Sequence, residues 1–155
     1  MASSPAGYLV IDANVLIAIA LKEAGRVTLA SAEIAAYAAK SYIAFVPGVL
    51  VSEFLYVVCQ KFQAGSLSAL DHAIGIQAFQ VITGSFSSLS GGDLPLVGRA
   101  NQISAGYGCS RSADAIYIAL AEELAKTGPT TLLTFDRGVQ TQAKIHAPGV
   151  TVHLL

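Results

Sequence analysis

Short, wholly apolar runs alternate along the chain with longer segments in which apolar positions recur every three to four residues. The first run, Tyr8 to Ile11, is rich in branched residues and apolar on both faces, as a strand in the middle of a parallel sheet must be. A helix follows over Val15 to Lys22, and a second is predicted from Ser31 to Lys40. A strand at Tyr42 to Val46 then stops at Pro47. The helix carrying VSEFLYVVCQKF places Glu53, Tyr56, Val57 and Gln60 on one face. Ser68 and Asp71 have capping-box spacing and open a helix through Gln80. The stretch GSFSSLSGGD leaves room for a short strand before a further helix capped by Asp93.

Ser112 is the expected cap of a long helix with Asp114 in its first turn and apolar residues at Ile116, Leu120 and Leu124, ending at Gly128-Pro129. Thr130 to Phe135 reads as a strand closed by Asp136, followed by a short helix and a last strand, VTVHLL. Strands alternating with helices predict an α/β fold, a three-layer α/β/α sandwich with a central, largely parallel sheet. Ligands of such sheets bind beyond the carboxyl ends of the strands. Neither a repeat nor a linker interrupts the pattern, so one domain is expected over residues 1–155.

Composition narrows the class. With 54% hydrophobic residues among 155, disorder is excluded and a sizeable core is assured. Only 12% of residues are charged and mean hydropathy is +0.59, which predicts an apolar face used for association. A net charge of −1 offers no overall attraction to nucleic acid, so contact with a polyanion has to rest on local cations or metal ions. Cys59 and Cys109 lack both metal-site spacing and the density of a disulfide scaffold, which fits thiols in a cytoplasmic protein. The N-terminal segment has no basic region before its apolar run, and Asp12 and Asn14 interrupt that run, so neither a signal peptide nor a membrane span is expected.

A lone Asp between a strand and a helix is ordinarily a helix cap. Asp12 and Asp136, however, each end an apolar strand, and in a parallel sheet both project at the same edge. Asp114 adds a carboxylate favoured by a helix dipole, and Glu53 interrupts an otherwise apolar helix. Four such acids in one place repel one another unless divalent cations neutralise them. An all-oxygen set without His or Cys favours Mg²⁺ or Mn²⁺ over Zn²⁺. Ions of this kind activate water for attack on a phosphodiester.

Four separated motifs, VIDANVL, VLVSEFLYV, SADAIYIALAEEL and LLTFDRGV, resemble those of the PIN-domain ribonucleases, above all the VapC toxins of toxin–antitoxin pairs. The likeness follows the family's order of elements across nearly the whole chain. It departs in the middle, at the glycine-rich loop 84–92 and at Gly98 inside a predicted helix. The resemblance implies that Asp12, Glu53, Asp114 and Asp136 are the catalytic acids, holding one or two Mg²⁺ or Mn²⁺ ions. Asn14 and Thr134 match supporting polar positions that orient carboxylates or waters. It also implies a metal-dependent endoribonuclease acting as a toxin on structured RNA, dimeric and restrained by a small cognate antitoxin.

Arg111, Arg137 and Ser112 lie close in sequence to the acids and are candidate contacts for RNA phosphates, although Arg111 and Arg137 can equally balance the acids and Ser112 can simply cap. Asp71 and Asp93 read as caps, Glu122 and Glu123 as partners of Lys126, and Tyr37, Tyr56 and Phe62 as core. The three histidines have no zinc-site spacing. Three other functions share parts of this pattern. A haloacid-dehalogenase-type phosphatase needs a second Asp where this chain has Asn14. A PIN-like RNA-processing nuclease outside a toxin system, or a non-catalytic RNA- or protein-binding module, keeps the fold with a different role.

Overall fold

The structure, a computed structural model, describes residues 4–155. The first three residues of the expected 1–155 domain lie outside that range. Four strands form one parallel sheet: β1 (Gly7–Ile11), β2 (Tyr42–Phe45), β3 (Thr130–Thr134) and β4 (Thr151–Leu154), in the order β2-β1-β3-β4. The two central strands are the apolar runs: Leu9, Val10, Ile11, Leu132 and Leu133 are all buried. Gly7 is needed where β1 begins, since a Cβ there would stand 2.5 Å from the Pro129 carbonyl oxygen.

Among the described residues seven α-helices cover the sheet: α1 (Ala13–Ala20), α2 (Val27–Ala39), α3 (Val49–Gln63), α4 (Ala69–Thr83), α5 (Val97–Gly106), α6 (Ser112–Ala125) and α7 (Arg137–His146). Helices α2, α3 and α4 pack around α1, whereas α5 and α7 pack around α6, and α6 itself lies on β1 and β3. These are the two outer layers of the predicted α/β/α sandwich. The chain leaves β1 to one side to form β2 and returns to the other side to form β3, so the order reverses between β1 and β3. A crevice opens at the carboxyl end of such a reversal.

Several local expectations are corrected. Helix α2 starts at Val27, four residues before the predicted Ser31. The glycine- and serine-rich stretch contributes a single parallel bridge, Ser87 beside Phe45, and no strand. Asp93 precedes a 3-10 turn, Leu94–Leu96, without capping it. Its carboxylate instead accepts the backbone N–H groups of Gly48 (2.7 Å) and Val49 (2.8 Å) at the start of α3. Helix α3 lacks a first-turn acid and has glycine as its own cap, so Asp93 supplies from a distance what the local sequence omits. Glu122 pairs with Arg99 through bonds of 2.6 and 3.0 Å, and only Glu123 pairs with Lys126.

Tyr56 and Phe62 are exposed, because the buried stripe of α3 runs through Leu50, Phe54 and Val58 and Tyr56 falls on the opposite side. Phe54 stacks on Phe79 of α4, with ring centroids 3.8 Å apart, which fixes the helix that carries Glu53. The Ser68 cap of α4 is present: Ser68 Oγ accepts the Asp71 N–H at 3.0 Å and donates to Asp71 Oδ2 at 2.6 Å, in place of the reciprocal backbone bond of a full capping box. No described helix is long and apolar enough to cross a membrane.

Candidate active site

Asp12 lies one residue beyond β1 and Asp136 two beyond β3, on the two strands that flank the crevice. Although Asp12 occupies the cap position of α1, its side chain caps nothing. The carboxylate, 3% exposed, accepts instead from the Thr134 hydroxyl (2.6 Å) and the Asn14 amide (2.8 Å), both on Oδ2. Thr134 Oγ1 in turn accepts from Asn14 Nδ2 (3.1 Å) and from the Asp136 N–H (2.9 Å). Asn14 Oδ1 receives the Phe135 N–H at 3.0 Å. Thus Asn14 and Thr134 join the ends of β1 and β3 and set the orientation of Asp12. An amide committed in this way cannot serve as the general acid of a dehalogenase-type phosphatase.

Glu53 reaches the same place from α3. Tyr117, fully buried on α6, donates its hydroxyl to Glu53 Oε2 at 2.6 Å. Tyr117 was hidden in the sequence because it belongs to the apolar stripe of α6; its one signal is a spacing of three residues from Asp114, which puts both on one helix face. Asp114 enters from the first turn of α6, where the chain is turned by left-handed residues at Gly108, Cys109 and Arg111. Arg111, with φ 55°, precedes the helix, so Ser112 is its first residue and not its cap. The Ser112 hydroxyl is engaged with Ser104 at 2.9 Å.

Electrostatics link the acids. Burial, with the neighbouring Asp114 and Glu53 charges, pushes Asp12 up to about 7, against the lowering bond from Thr134. Burial also raises Glu53 and Asp114; Tyr117 opposes the rise at Glu53, and Arg111 opposes it at Asp114. Asp136 behaves differently. Desolvation would lift it, but Arg111 and the backbone N–H of Gly138 hold it below the usual carboxylate range.

Arg111 Nη1 lies 2.6 Å from Asp136 and 3.1 Å from Asp114. Gly138 makes room for it: a Cβ there would fall 2.3 Å from the guanidinium carbon. The structure therefore brings together Asp12, Glu53 and Asp114, with Asp136 tied to Asp114 through an arginine. Arg111, expected as a phosphate contact or a balance for the acids, takes the second role. Arg137 is exposed at the start of α7, and among the described residues no carboxylate lies within ion-pair distance of it.

A divalent cation suits this donor set. Asp12 and Glu53 have no cationic partner among the described residues, and every donor is a hard oxygen. Among those residues no three His, Cys, Asp or Glu side chains stand close enough to make a metal site by themselves, so an ion held here would reach part of the acid set through water, as Mg²⁺ commonly does.

Comparison with known proteins identifies the fold and the family. The family model of the PIN domain, a nuclease fold whose members are generally metal-dependent, matches residues 9–145. The crystal structure of PAE2754 from Pyrobaculum aerophilum is similar in fold, with a TM-score of 0.63 and 18% identity over 97% of this chain and 92% of that one. Among curated proteins, no sequence matches. With a family match running from the middle of β1 into α7, and with acids from four separate segments meeting where strand order reverses, the chain belongs to the PIN-domain family.

Proposed function

We propose that the protein is a metal-dependent endoribonuclease whose catalytic acids are Asp12, Glu53, Asp114 and Asp136. One observation carries the reading: a nearly inaccessible carboxylate, Asp12, lies beside two other acids with no cation among the described residues paired to it. A structural role alone would cost stability without return, because an unpaired buried charge is expensive. When bound, Mg²⁺ or Mn²⁺ supplies a nucleophilic water and stabilises the leaving oxygen. Asp12, Glu53 and Asp114 would hold the ion. Thr134 and Asn14 keep Asp12 in one orientation, and Tyr117 does the same for Glu53.

The motifs support a toxin role beside a small antitoxin. Exposed Val51, Leu55 and Tyr56 on α3, between 52% and 64% accessible, support association as a homodimer. Incubating the purified protein with structured RNA in Mg²⁺, Mn²⁺ or chelator, next to Asp114→Asn, tests the activity. Metal-dependent cleavage that Asp114→Asn lowers by at least a hundredfold is expected. Folded wild type that cuts no RNA above the variant would refute the proposal.

A further inference from the structure

A second arginine stands at the mouth of the site and takes no part in neutralising the acids. Arg26, in the turn before α2, holds its guanidinium carbon 5.0 Å from the centre of the Phe135 ring. Phe135 is itself fixed, since it lies between Thr134 and Asp136 and its N–H is bonded to Asn14. Arg26, Phe135, Asn14 and Asp136 together line a pocket of about 310 Å³, a volume at the small end of ligand pockets.

The polar groups of Asn14 are already committed to Asp12, Thr134 and Phe135, so the pocket's available hydrogen-bond donor is Arg26. Its ion pair with Glu23 is long, 3.5 Å, and Glu23 is shared with Lys61 at 3.4 Å. The Arg26 side chain is 54% exposed and forms no ion pair with Asp136. A guanidinium held over an aromatic ring, beside an acidic centre it does not neutralise, is arranged to receive an anion.

We propose that Arg26, positioned by Phe135, binds a backbone phosphate of the RNA substrate adjacent to the phosphodiester at the acids. This rests on the ribonuclease reading above. Contact with one phosphate adds one released counterion, so the salt dependence of binding should carry its mark. A phosphate contact of this kind weakens binding without changing sequence preference.

The test uses the full chain with Asp114→Asn to prevent cutting, and a labelled single-stranded oligoribonucleotide in Mg²⁺ followed by fluorescence anisotropy across a salt series. Adding Arg26→Gln should raise Kd about tenfold and reduce the slope of log Kd against log salt by about 0.7. Arg26→Lys should retain the slope. Phe135→Leu should weaken binding while leaving the slope in place, as expected for a residue that positions the charge. Lys40→Gln, just before β2 at the amino end of the sheet and so away from the acids, should change neither. In the cleaving protein, Arg26→Gln should raise KM by a similar factor. Unchanged Kd, slope and KM in Arg26→Gln, with wild type still cutting RNA, would overturn this inference alone. Wild type that cuts nothing would overturn it together with the nuclease reading.

Discussion

Asp12→Asn should make the metal-free protein more stable, and the gain should grow with pH. In the folded chain the Asp12 carboxyl is raised from its ordinary 3.8 to about 7, chiefly by burial. At 1.36 kcal/mol per unit, that is roughly 4 kcal/mol of folding free energy spent on keeping the charged form buried. The sign follows from proton counting: between 3.8 and about 7 the native chain holds a proton that the unfolded chain has released, so stability falls as pH rises through that window. Below it the cost is absent, and above it the cost is complete. About 3 kcal/mol of the loss falls between pH 5 and pH 8. Glu53 and Asp114, also raised, act in the same direction, whereas Asp136, lowered, acts in the opposite sense and only in acid.

An asparagine can present an oxygen to Thr134 and Asn14 as Asp12 does, so the substitution removes the charge with little change of shape. Urea melts in chelator at several pH values, read at 25 °C, measure the effect directly. Wild type should lose stability from pH 5 to pH 8, and the variant should lose much less. Adding Mg²⁺ at pH 8 should recover stability in wild type alone. A wild-type profile that is flat or rises over this range, or a variant no more stable at pH 8, would refute the reasoning.

Three further substitutions examine the supports of the site, and a fourth, away from it, serves as a control. Tyr117→Phe leaves Glu53 without its hydroxyl partner and should cost about 1–3 kcal/mol in thermal or urea melts. Glu53 should titrate higher still, so the acid limb of the cleavage-rate profile moves to higher pH. Gly138→Ala should push Arg111 off both acids for less than about 1 kcal/mol, because the pair is exposed and the clash is with a flexible end. The check is carbon NMR of the Asp136 carboxyl, whose pKa should rise. Asp93→Ala should cost about 1–2 kcal/mol and also slow cleavage, since it loosens the helix carrying Glu53. Ser68→Ala, which uncaps α4, should cost about 1 kcal/mol and leave cleavage unaffected.

The sheet and the acids were legible because they rest on short-range pattern. Ile11 and Leu133 belong to apolar runs that only a doubly covered strand can use, and two such runs each ending in an acid place both acids at one edge of a parallel sheet, whether or not they also cap a helix, as Asp136 does and Asp12 does not. Placing Glu53 needed more than its helix, for it depends on Phe54 stacking against α4 and on Asp93 capping from 45 residues away. Arg111 illustrates the limit. Its position near Asp114 was plain in sequence, but its grip on Asp136 follows from one left-handed residue and from space at Gly138, both set by tertiary context. Arg26 carries no signal in the sequence, since a cation in a polar turn looks like any surface residue until Phe135 is brought beneath it.

The hydroxyl of Thr134 has a single hydrogen, and Asp12 receives it; what Asn14 and the Asp136 backbone offer can only be taken in. The relay therefore runs one way, and it crosses the seam between the two middle strands at one oxygen atom. Replacing that oxygen with a methyl, as valine would, removes three hydrogen bonds together: Asp12 keeps only the bond from Asn14, the Asp136 N–H loses its acceptor, and the tips of the strands are left to the Asp12–Leu133 and Asn14–Phe135 bonds. At this atom, joining the strand ends and aiming the carboxylate are one task, and neither can be adjusted while the other stays as it is.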